Sequence, residues 1–232
     1  MVFLYISGDF DMVEQDLRFG KVVLWVVFYI GTMFISAFLN VLVWEKVFEK
    51  RAALLDFITK AVCVGVFVVA LDQKGRKLAI FRNVSLAGIL SAIGCAVLLF
   101  LVTDKCVDPF LARLFPQSEG NYQDAVRALK QTPVISALQV CILAPLVEEA
   151  LMRGFALDGM KRTYGVAVAL ILSSVIFALL HFNMVQTLSA LLCGIVLGAL
   201  YLKTGSLFCC MLAHGGYNLI SYVAILREHP GL

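Results

Sequence analysis

Charged residues are scarce in this sequence. Asp, Glu, Lys and Arg make up 15% of its 232 residues, whereas 61% are hydrophobic and the mean hydropathy is +0.92. Soluble domains carry about 25% charged residues, so an ordinary cytosolic enzyme, a disordered chain and a small disulfide scaffold are all excluded. The net charge of +3 is too small to suggest a nucleic-acid partner. A basic leader is also lacking: the first sixteen residues carry Asp9, Asp11, Glu14 and Asp16, so no cleavable signal peptide is expected. The first apolar run, Val22 to Trp44, predicts a retained transmembrane helix instead. The sequence has no internal repeat, no low-complexity tract and no HExxH pair. Cysteine is present seven times, and Cys63, Cys95, Cys141, Cys193, Cys209 and Cys210 lie in apolar runs, where free buried thiols are expected.

What the chain has in abundance is apolar helix of bilayer length. A span needs about 20 mostly apolar residues, which gives seven candidates: Val22–Trp44, Ala52–Leu71, Val84–Thr103, Val134–Met160, Gly165–His181, Val185–Leu202 and Ser206–Leu226. The second contains Asp56 and Lys60, four apart and able to pair on one helix face. Segment 104–133 holds Pro109, Pro116 and Pro133 and reads as a long polar connection, with Asp104 and Asp108 in solvent and a short interfacial helix over Tyr122–Lys130. The expected fold is all-α, a polytopic bundle of about seven transmembrane helices with a site formed by the last four. It is read as one membrane domain over 1–232, comprising an acidic segment 1–21, accessory helices 22–133 and a core 134–226. Seven spans place nine Lys and Arg on one side and eight on the other, which leaves the orientation undecided.

The informative residues are the ionisable ones inside the spans. A charge at mid-bilayer costs about 2.5–3.5 kcal/mol even on the mildest scale. The fourth span nevertheless has Glu148, Glu149 and Arg153, the fifth ends at His181, and the seventh has His214 and Asn218. Glu149 and Arg153 are i and i+4 with the acid first, the better order for an ion pair, which leaves Glu148 as the free carboxylate. Phe177 can pack on His181, and His214 shares a face with Asn218 beside Gly215 and Gly216, where a substrate backbone could approach. Pro145 is expected to kink the fourth helix and free carbonyls near Glu148. On ideal helices Glu148 and His181 both lie about 25 Å from their shared turn, and His214 and Asn218 lie about 15 and 21 Å from the same side. Each group alone has a structural reading: an ion pair, an interfacial imidazole, helix–helix glue. Gathered at one depth they point to one site. Gly194 and Gly198 form a GxxxG read as a packing face, and Asn183 either extends the site or caps a turn.

Three strings stand in order: Glu148-Glu149-Ala-Leu-Met-Arg153, Phe177-Ala-Leu-Leu-His181 and His214-Gly-Gly-Tyr-Asn218. They resemble the EExxxR, FxxxH and HxxxN/B motifs of the CAAX protease and bacteriocin-processing (CPBP, Abi) family of intramembrane metalloproteases, over about residues 134–226. The resemblance implies an intramembrane endopeptidase acting on a membrane-associated peptide or protein: prenyl-protein trimming, signal-peptide or bacteriocin processing, or immunity to a bacteriocin. It also implies a bacterial cell membrane. Glu148 would be the general base, and His181 would orient or help deprotonate the water. His214 and Asn218 would polarise the scissile carbonyl, and Glu149 and Arg153 would support them. Zinc held by His181, His214 and Glu148 and a metal-free Glu/His mechanism both stay open. A non-enzymatic peptide-binding immunity or scaffold protein is the alternative, and a proton-coupled transporter a weaker third.

Overall fold

Where backbone polar groups lie in hydrocarbon they must be satisfied within the chain, and helices do this locally. The computed structural model describes residues 17–75 and 77–228, and among these there is no strand. The acidic residues Asp9, Asp11, Glu14 and Asp16, and Arg76 of the charge tally, lie outside the described residues. In chain order the helices are α1 Phe19–Val47, α2 Glu49–Lys74, α3 Leu86–Leu114, α4 Pro116–Gln131, α5 Pro133–Tyr164, α6 Val166–Leu179, α7 Met184–Thr204 and α8 Leu207–Glu228.

Six of these (α1, α2, α3, α5, α7 and α8) are long and apolar enough to cross a membrane. The expectation of seven full spans is corrected at α6. Its 14 residues reach about 21 Å, short of a hydrocarbon core of about 30 Å. Gly165, at φ +81°, makes the turn that starts it.

The connection 104–133 is also corrected: it is mostly helical. Pro116 and Pro133 each stand in the first turn of a helix, where the missing N–H costs nothing, so they start helices here instead of marking a loop, and Pro109 lies within α3 just after a π turn. Asp104 and Asp108 lie not in a solvated loop but on the end of α3, which continues through a π turn at Thr103–Val107. Asp104 accepts a hydrogen bond from the Tyr217 hydroxyl on α8 (2.9 Å), and Asp108 accepts one from Ser189 on α7.

The centre of the bundle is α5. Residues 149–157 are buried on every side, as an apolar helix must be when it is enclosed by others. Trp25 of α1 packs edge-on against Phe155 of α5 and Phe67 of α2 (centroids 5.8 Å in both pairs) and so ties the first hairpin to α5. Asp56 and Lys60 do pair, at 2.6 Å. Of the six cysteines expected to be buried, Cys193, Cys209 and Cys210 are, while Cys63, Cys95 and Cys141 are half-buried; all are free. Gly194 and Gly198 do form a packing face: a Cβ at 194 would stand 3.0 Å from the Ser174 Cα of α6, and one at 198 would stand 2.4 Å from Leu170 Cδ1. Because Ser174 meets Gly194 through its backbone, Gly194→Val should destabilise the protein by about 1–3 kcal/mol. Thermal unfolding in detergent checks this, and an unchanged midpoint would refute the close approach.

Candidate active site

Three helices, α5, α6 and α8, bring the ionisable groups together. Glu148 and Glu149 end the Ala144–Glu149 segment of α5, and Arg153 follows within a π-helical stretch, Ala150–Leu157. His181 lies just past the end of α6, and His214 and Asn218 lie on α8. Glu149 is 0% exposed and Arg153 1%. Their pair closes at 2.9 Å between Arg153 Nη1 and Glu149 Oε1. Arg153 Nη2 donates to the Gly194 carbonyl of α7 (3.1 Å), and the guanidinium lies over the Phe177 ring, 4.7 Å from its centroid. One buried cation therefore joins α5, α6 and α7 through its fork and its flat face.

Glu149 Oε1 also meets His214 Nδ1 at 2.9 Å. A carboxylate only accepts, so Nδ1 carries the proton and the ring is held with Nε2 pointing toward Glu148. Glu148 Oε2 stands 3.8 Å from His214 Nε2. That is too long for a direct hydrogen bond, yet a single water beside the gap can reach both atoms. His181 Nδ1 lies 3.0 Å from the Phe177 carbonyl, which likewise only accepts, so its Nε2 is the nitrogen left for a ligand. The Phe177 ring stands edge-on to both imidazoles, with centroids 5.0 Å from His181 and 5.7 Å from His214.

Glu148, His181, His214 and Asn218 all line one cavity of about 280 Å³, with Phe177 between the two rings. Glu149 and Arg153 lie behind it. Asn218 donates from Nδ2 to the Val140 carbonyl of α5 (2.7 Å), so one of its two amide hydrogens is committed to the protein. The glycines beside His214 do not open room for a substrate. A Cβ at 215 would stand 2.5 Å from the Cys141 carbonyl oxygen, and one at 216 would stand 3.3 Å from Ala96 Cβ, so both serve helix packing. Asn183 caps α7 by accepting from the Gln186 amide (3.2 Å).

The same cavity is also lined by groups that sequence reasoning passed over, among them Asp108, Gln186, Ser189 and Tyr217. The signal available for Asp108 was its i,i+4 spacing from Asp104, which puts both on one face if the helix continues. Zinc would need at least three converging protein ligands. Among the described residues no group of three or more His, Cys, Asp or Glu side chains is placed to hold a metal ion, so His181, His214 and Glu148 as arranged do not fit one.

Residues 130–220 match the family model described as Rce1-like, Type II CAAX prenyl endopeptidase Rce1-like. No curated protein and no solved structure matches the chain. The matched segment contains α5 from Pro133, α6, α7 and the part of α8 that bears His214 and Asn218, and so spans Glu148, His181, His214 and Asn218, while α3 and α4, which complete the cavity wall, lie before it. Over residues 130–220, less than half of its length, this multi-pass membrane protein is similar to the CAAX prenyl endopeptidase family.

Proposed function

We propose that the protein is an endopeptidase that hydrolyses a peptide bond of a membrane-associated protein ending in a prenylated CAAX sequence. The observation that carries this reading is the convergence of Glu148, His181 and His214 from three helices on one cavity. A water beside Glu148 gives its proton to the carboxylate and attacks the scissile carbonyl carbon. His181 Nε2 accepts from that water and orients it. With its Nδ1–H given to Glu149, His214 can donate from Nε2 only as an imidazolium, and in that form it holds the oxyanion. Glu148 then passes its proton to the leaving amine as the C–N bond breaks. Glu149 fixes the His214 ring, and Arg153 balances the Glu149 charge. No metal takes part in these steps.

The test is direct. Purified protein in detergent should release a C-terminal tripeptide from a prenylated CAAX peptide, read by mass spectrometry, and should do so after chelation of divalent metals. Cleavage of the unprenylated peptide alone would move the substrate toward a signal peptide or a bacteriocin precursor. Binding without release would replace the enzyme by a peptide-binding protein.

A further inference from the structure

Pro145 is buried and stands second in the Ala144–Glu149 segment, directly after a π turn at Gln139–Leu143. Having no N–H, it deprives two carbonyls of a main-chain donor: that of Cys141, its i−4 neighbour, and that of Val140, its i−5 neighbour, which a π turn would serve. The Ala144 amide, which would serve Val140 in an α-helix, is directed to Gln139 instead. Helix α8 covers both carbonyls. Asn218 Nδ2 donates to Val140 at 2.7 Å, and Gly215, one turn earlier on the same face, lies against the Cys141 oxygen and Pro145. His214 precedes Gly215, and Glu148 follows Pro145 by three residues. The contact that satisfies Val140 therefore lies in the same α5–α8 seam as Glu148 and His214, which stand 3.8 Å apart between Oε2 and Nε2.

Taking the peptidase reading of the site as given, we propose that Asn218 is a positioning residue. It latches the π turn of α5 to α8 through the Val140 carbonyl and so holds Glu148 at its working distance from His214, instead of serving chiefly as a donor to the oxyanion. A carbonyl left without a donor in this setting draws in water or moves, and a shift of an ångström at a reacting group can cost about 100-fold in rate.

The latch is tested by a double replacement. Asn218→Ala should lower kcat/KM about 100-fold and speed backbone hydrogen exchange over residues 139–149. Adding Pro145→Ala restores an N–H beside the orphaned carbonyls, so the double variant should regain about tenfold or more in turnover and exchange as slowly as the wild type. An oxyanion donor predicts neither recovery. The proposal is overturned if Asn218→Ala leaves exchange over 139–149 at the wild-type rate. It is equally overturned if the double variant recovers slow exchange while its turnover stays at the level of Asn218→Ala. Should Pro145→Ala alone abolish turnover, the exchange of Asn218→Ala and of the double variant decides: protection lost and then regained supports the latch, and any other pattern rejects it. Exchange needs no substrate, so it still judges the latch if no peptide is cleaved and the peptidase reading fails.

Discussion

Glu148→Gln should lower kcat for peptide hydrolysis by about 10²–10⁴-fold, the range a general base contributes, with little change in KM or in thermal stability. Glutamine keeps the size and one carbonyl oxygen of the side chain but cannot take a proton from water. The replacement is mild for the fold because Glu148 is 19% exposed at its side chain and its Oε2 stands 3.8 Å from His214 Nε2, beyond hydrogen-bond reach. A peptide-binding protein using the same cavity would tolerate the change. Steady-state kinetics on the prenylated peptide, run alongside a melting curve, separates the two. Turnover equal to wild type would take the base away from Glu148.

The largest effect on stability is expected five residues further on. Arg153→Ala should destabilise the protein by about 3–5 kcal/mol, because removing one member of a buried pair strands the other charge. Glu149 has 0% exposure and would keep only His214 on its Oε1, while its Oε2 already has no hydrogen-bond partner. The Gly194 carbonyl and the Phe177 ring would lose the guanidinium as well. Arg153→Lys should recover only part of the loss, since an ammonium cannot serve Glu149 and Gly194 as a planar fork does while lying flat on a ring. The pair Glu149→Gln with Arg153→Met, which removes both charges, should melt closer to wild type than Arg153→Ala does, yet hydrolyse poorly because the His214 ring loses its anchor. Melting temperatures in detergent check the order. An Arg153→Ala protein as stable as wild type would show that the buried pair contributes nothing to the fold.

The parts of this site that could be read from the sequence are those decided within one helix. The Glu149–Arg153 pair and the Phe177–His181 contact follow from i,i+4 spacing, and the structure shows both at contact distance. The Gly194/Gly198 face follows from spacing too. What spacing could not give is the relative rotation of different helices. A π turn inserts one extra residue and turns everything downstream by about 100°. Such turns occur at Thr103–Val107, Gln139–Leu143 and Ala150–Leu157. The first carries Asp108 round onto the cavity wall, where a polar, proline-bearing stretch suggested solvent. The second brings the Val140 carbonyl to Asn218, which no pattern in α8 announces. Gly215 and Gly216 looked like room for a substrate because a sequence shows a missing side chain without showing what takes its place.

The shortness of α6 bears on the lipid around the protein. Its outward residues Val166, Val168, Ile171, Val175 and Leu179 are exposed, so this stubby rod faces acyl chains directly. A rod of about 21 Å cannot match a slab of about 30 Å without a local dimple in the leaflet. On the proposed peptidase reading, such a dimple would bring headgroups and water toward His181 and so supply hydrolysis with its second reactant at a depth that would otherwise be oil. Thin membranes would accommodate such a shape with less deformation than thick, sterol-rich ones, so bilayer thickness becomes a physical control on how well this protein is housed.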